Sequence, residues 1–60
     1  MKALVITVNK TEYRAIELSR RQYHQVVARL CDDIGPFHYG DTVLLNLNTM
    51  ELTLIERIAS

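Results

Sequence analysis

The 60-residue chain has one cysteine, one proline, two glycines and no tryptophan. A single cysteine excludes an internal disulfide. With His24 and His38 standing 14 positions apart, no CxxC or HExxH spacing exists to build a structural or catalytic zinc site. Gly35 and Gly40 begin no phosphate-binding loop. No apolar run reaches the roughly 20 residues needed to cross a bilayer as a helix. Neither sign of charge is in excess: seven basic residues meet seven acidic ones, for a formal net charge of +0. A general polyanion binder carries a basic surplus instead. No signature of a catalytic site, metal or cofactor emerges, and the chain reads as non-enzymatic.

What is present is ordinary globular material, 48% hydrophobic and 23% charged, which excludes a disordered chain. The length allows one domain, spanning 1–60. A fold this small buries only about 60% of its unfolded surface. Without disulfides or metal, self-association is the remaining support. The start, Met1 to Val8, is apolar enough to suggest a leader peptide, but Asn9-Lys10-Thr11-Glu12 interrupts it too early. Met1 and the lack of a tag read as the start of a complete small protein. The lone thiol fits a reducing, cytoplasmic compartment.

Met1–Val8 alternates as a strand, with Leu4, Ile6 and Val8 on one face and Ala3 and Val5 on the other. Asn9–Glu12 reads as a turn and Tyr13–Leu18 as a second strand. From Ser19 the reading changes to a helix. Ser19-Arg20-Arg21-Gln22 has the form of a capping box, and Leu18 and Tyr23 stand where a hydrophobic staple would. Tyr23, Val26, Val27, Leu30, Cys31 and Ile34 recur at offsets 0, 3, 4, 7, 8 and 11, one stripe of an amphipathic helix. Gly35 and Pro36 then stop it. Thr42–Asn48 and Met50–Ile58 are the last two strands. If Leu47 faces Met50, then Leu45 faces Leu52 and Val43 faces Leu54, which puts all six on one face.

The expected fold is therefore α+β: a β-β-α-β-β antiparallel sheet with one helix on the Val43/Leu45/Leu47 face. One helix cannot cover both faces. The other face, with Leu44 and Ile55, together with Leu4 and Ile6 of the first hairpin, is expected to form a symmetric homodimer, by sheet packing or by strand pairing across a twofold axis.

Candidate binding residues follow from charge and aromaticity. On a helix, Arg20 and Arg21 at the start and Asp32 and Asp33 at the end oppose the macrodipole, each costing about 0.3–1 kcal/mol at an exposed site. Ion pairing with Glu17 or Glu12, antiparallel helix pairing in a dimer, or a partner would each account for this order. Asp32 and Asp33, adjacent on a helix, do not converge as a catalytic carboxylate pair. Cys31 reads as a buried small hydrophobe and His24 as a surface residue. The loop Gly35–Asp41 carries Phe37, His38 and Tyr39, with large aromatic area of the kind used at binding hot spots. One of these aromatics is alternatively the lid of the core.

The stretch Phe37-His38-Tyr39-Gly40-Asp41-Thr42-Val43-Leu44-Leu45 resembles the passage from loop into strand of many small β-domains. In size and lack of catalytic motifs the chain is similar to small regulators and inhibitors of phages and mobile elements. The leading expectation is a homodimeric protein-binding regulator or inhibitor. It would use Arg20, Arg21, Gln25, Arg29 and Asp32 of the exposed helix face with Phe37, His38 and Tyr39. The alternative is a dimeric nucleic-acid-binding regulator using the arginines; a small-ligand sensor with its pocket at the dimer interface comes third.

Overall fold

A computed structural model describes residues 2–58. It is all-β. Five strands, β1 (Lys2–Val8), β2 (Thr11–Gln22), β3 (Gln25–Leu30), β4 (Thr42–Asn46) and β5 (Leu52–Glu56), form one antiparallel meander in the order β1-β2-β3-β4-β5. The expected helix is absent among the described residues, and with it the α+β class. Met1, placed in the first strand by the sequence, lies outside the described residues.

The segment read as a helix is the end of β2, a turn at Tyr23 and His24, and β3. Its doublets, Val26-Val27 and Leu30-Cys31, satisfy a helical period and a strand period at once. In β3 the inner residues are Val26, Ala28 and Leu30, all at most 1% exposed. Val27 points to the other face, between Ser19 and Leu44, yet is only 9% exposed. With Val26 and Val27 both buried, the pair breaks strict alternation and reads as part of a helical stripe. Ser19 does not cap a helix: it stands opposite Val27 in the β2–β3 ladder. Gly35 and Pro36 do not end a helix either. They are the two corners of a tight turn in which Ile34 and Phe37 exchange backbone hydrogen bonds of 2.9 Å each way. Gly35, at φ 54, supplies the positive φ that the first corner of such a turn requires.

The two ends of the sequence behave as their alternation predicts. Asn9 and Lys10 both have positive φ (50 and 67), the geometry of a two-residue type I′ hairpin turn. In the last hairpin Val43 faces Leu54 and Leu45 faces Leu52; Leu47 and Met50 pack against the same core.

No second layer covers the sheet, so the sheet covers itself. Ile6 of β1, Ala15 of β2, Val26, Ala28 and Leu30 of β3, and Val43 and Leu45 of β4 form one buried cluster, with Leu52 of β5 packed against it. Such burial by one sheet requires it to coil. β2 supplies the bend: its register with β3 shifts between Glu17 and Ser19 and again between Arg20 and Gln22, and bulges of this kind bend a strand and raise its twist. The open end of the coil is plugged by the Cys31–Asp41 loop, which inserts Ile34, 4% exposed, with Phe37 beside it. β1 and β5 are not paired with one another, so both remain free edges.

Candidate partner-binding surface

The loop that plugs the core also builds the surface. Its fixed points are carboxylates accepting backbone N–H bonds. Asp32 Oδ2 accepts from Arg14 N at 2.8 Å, and Asp33 Oδ1 accepts from Tyr39 N at 2.7 Å. Asp41 Oδ2 accepts from His38 N at 2.8 Å, while Asp41 N donates to His38 O at 3.0 Å and Gly40 N to Leu30 O at 2.9 Å. The Asp32-Asp33 pair thus has a local task, tying the loop to β2 and folding it upon itself.

Asp41 is the one buried charged residue among the described residues, 2% exposed, and it is paired. Arg57 donates Nη2 to Asp41 Oδ2 at 2.7 Å and Nε to Oδ1 at 3.0 Å. Arg57 Nη2 also reaches Pro36 O at 2.9 Å. The hydrogen bond from Arg57, reinforced by the His38 N–H, lowers the Asp41 pKa from 3.8 to about 2 against the opposing effect of burial. The same bond raises the Arg57 pKa above its ordinary value. This guanidinium clamps the residue after β5 to the Gly35-Pro36 turn and to the Asp41 end of the plug.

Held this way, the loop presents Tyr39 outward, 73% exposed. Beneath it lies a hollow of about 490 Å³ lined by Ala3, Leu4, Val5, Arg14, Ala15, Ile16, Cys31 and Tyr39. Val5 is itself 54% exposed. On the far side of the plug a second hollow, about 500 Å³, runs between Val8 and Tyr13 of the first hairpin, Ile34–Phe37 of the loop, and Met50 and Leu52 of the last hairpin.

The residues singled out from the sequence do not form one surface. Phe37, His38, Tyr39 and Asp32 share the plug loop. Phe37 faces the core, His38 is exposed and contributes backbone to Asp41, and Tyr39 is the aromatic of the loop that stands mostly in solvent. Arg20, Arg21 and Gln25 lie at the opposite end of the sheet, around the Tyr23-His24 turn. There Arg20 donates to Tyr23 O at 3.0 Å and pairs with Glu17 at 3.4 Å, one of the compensations the charge order suggested. Arg29 stands between Ile16 and Thr42 on the outer face. The residues proposed for a dimer interface divide as well. Ile6 is wholly buried in the chain's own core and Leu4 packs against it, whereas Leu44 faces outward opposite Thr53. Ile55 is the extra residue where the β4–β5 register shifts and is 44% exposed.

Sequence reasoning missed the Asp41–Arg57 clamp and the role of Tyr23, which is 93% exposed rather than part of a buried stripe. The signal for the first was an aspartate closing a glycine-containing loop, the usual place for a carboxylate to accept backbone N–H bonds. Cys31 is half-exposed and lines the Tyr39 hollow. Among the described residues, no group of three or more His, Cys, Asp or Glu side chains could hold a metal ion. Among the same residues, no helix is long and apolar enough to cross a membrane. No family model matches this chain, and no curated protein or solved structure is significantly similar to it.

Proposed function

We propose that this chain is a small non-enzymatic protein-binding module that acts as a homodimer to regulate or inhibit another protein. The observation that carries the reading is Tyr39: a mostly exposed aromatic, its backbone fixed by Asp33, standing over an apolar hollow with Arg14 at the rim. Aromatic anchors beside apolar pockets with a charged rim are what protein interfaces concentrate. The loop is held before binding, so little ordering cost falls on the complex. The contact surface is therefore the plug loop with the outer side of β1 and β2, in place of a helix face. A reducing cytoplasmic setting suits the half-exposed thiol of Cys31.

The nucleic-acid alternative has less to draw on. Arg14, Arg20 and Arg57 are engaged with Asp32, Glu17 and Asp41, and the remaining arginines lie on different strands, Arg21 beside the Tyr23-His24 turn and Arg29 opposite Ile16, rather than along one strand as a groove-reading stripe would.

The test is affinity capture from native lysate with wild-type protein and a Tyr39→Ala variant of unchanged circular dichroism. A protein recovered by the wild type and lost with Tyr39→Ala supports the reading. Equal recovery by both overturns this surface, and nucleic acid in place of protein in the eluate, released by modest salt, would favour the alternative.

A further inference from the structure

The free edge of β1 has a hydrogen-bonding pattern that is complementary to itself. In an antiparallel ladder, two residues directly opposite either exchange both backbone bonds or neither. Val5 stands opposite Arg14. Arg14 spends both of its backbone groups on the other side: its N–H donates to Asp32 Oδ2 at 2.8 Å, and its C=O accepts from Cys31 N at 2.9 Å. Val5 therefore exchanges nothing with β2, and its own N–H and C=O point outward from the sheet. By alternation Ala3 and Thr7 do the same, while Leu4, Ile6 and Val8 bond to β2. The hairpin turn agrees, since the residues flanking a two-residue turn, Val8 and Thr11, are a hydrogen-bonded pair.

Proteins protect such edges with internal charges, proline, bulges or a covering element. β1 has none of these between Ala3 and Val8. Its register with β2 is unbroken, and its one charged residue, Lys2, stands at the end. The other edge is protected: β5 has a register shift at its end, Glu56 within it, and Arg57 clamped just after it.

We infer that β1 pairs with β1 of a second copy, antiparallel, with Val5 on the twofold axis. This deepens the homodimer part of the proposed function and rests on it. In this register Val5 faces the second copy's Val5, and Ala3 faces the second copy's Thr7. Each of these facing pairs exchanges two backbone bonds. Leu4 meets the second copy's Ile6 on the core side, so the two cores continue into one another. The two Lys2 side chains lie at opposite ends of the paired strands, which leaves no like charges facing. Slipping the register by two residues either way keeps the bonding parity but shortens the overlap, so the Val5-centred arrangement pairs the most residues. The Tyr39 hollow, lined by Ala3 and Val5, then adjoins its counterpart across the axis.

Single cysteines in a Cys31→Ser background test the register. Facing hydrogen-bonded residues have Cα atoms about 5.5 Å apart, within the range a disulfide spans. Val5→Cys alone is expected to form a disulfide-linked dimer under mild oxidation. Ala3→Cys and Thr7→Cys alone are not, because each is about 13 Å from its own copy, but a mixture of the two is expected to cross-link. Val5→Pro removes one outward N–H and no bond to β2, and is expected to sediment as a folded monomer. Should Val5→Cys disturb folding, this second variant still decides the matter. A wild-type chain that sediments as a monomer at micromolar concentration overturns the inference and the homodimer reading together. A wild-type dimer that persists in Val5→Pro, or cross-linking of Ala3→Cys by itself, overturns the β1 pairing alone.

Discussion

At the scale of single residues, the molecule depends most on Asp41 and Arg57. A buried carboxylate is tolerated only when its lone pairs are satisfied, and here one guanidinium and one backbone N–H do so. The folded-state pKa lies below the unfolded one. The contribution to stability is therefore complete above pH 3.8 and disappears as pH falls from there to about 2. Asp41→Asn is expected to lower the melting temperature at pH 7 and to flatten the acid dependence across that interval. Thermal melts of the two proteins from pH 7 to pH 2 check both, and parallel acid curves would contradict the clamp. Tyr39 is the opposite case. Its side chain makes no hydrogen bond among those described and is mostly in solvent. Tyr39→Ala is expected to change stability by no more than about 0.5 kcal/mol in a denaturant titration, which makes it a clean probe of binding.

At the scale of elements, turns and bulges determine the shape. Lys10 occupies a positive-φ corner that costs an L-residue about 1–2 kcal/mol. Lys10→Gly would restore the Asn-Gly pair that type I′ turns prefer. Allowing for the extra chain entropy of glycine, a gain of about 0.5–1 kcal/mol is expected, measured by chemical denaturation. Ser19 makes the converse point. As a helix cap its removal would cost about 1 kcal/mol; as an exposed residue beside a bulge in β2 it is expected to cost less than about 0.5 kcal/mol. The outer hairpins were legible because period-two alternation in Val43, Leu45, Leu52 and Leu54, and in Leu4, Ile6 and Val8, allows one register. The middle was not. Ser19-Arg20-Arg21-Gln22 matches a helix start by residue type alone, and Val26-Val27 fits both periods because both are buried although they point to opposite faces of β3, the central strand. Gly35-Pro36 signals a break in direction without saying what precedes it. The β-branched pair at Val26 and Val27 was the local hint of a strand. Tyr39 was readable as a surface aromatic; the clamp that positions its loop was not, because Arg57 meets Asp41 only once β5 folds back beside β4.

At the scale of the whole molecule, the shortage implied by 60 residues has a definite place. A five-stranded sheet that coils over its own core, plugged by one loop, leaves two unpaired edges. One edge is protected and the other is regular, apolar and outward-bonding. The proposed pairing at β1 would lengthen the sheet without requiring a second layer, and it would set two Tyr39 hollows side by side. The most direct measurement is residue-resolved amide hydrogen exchange along β1 at increasing protein concentration. Leu4, Ile6 and Val8 should be protected at every concentration. Ala3, Val5 and Thr7 should exchange freely in dilute protein and gain protection together as concentration rises. Protection of Val5 that stays absent at all concentrations, while its even-numbered neighbours remain protected, would contradict the pairing of β1 with a second copy.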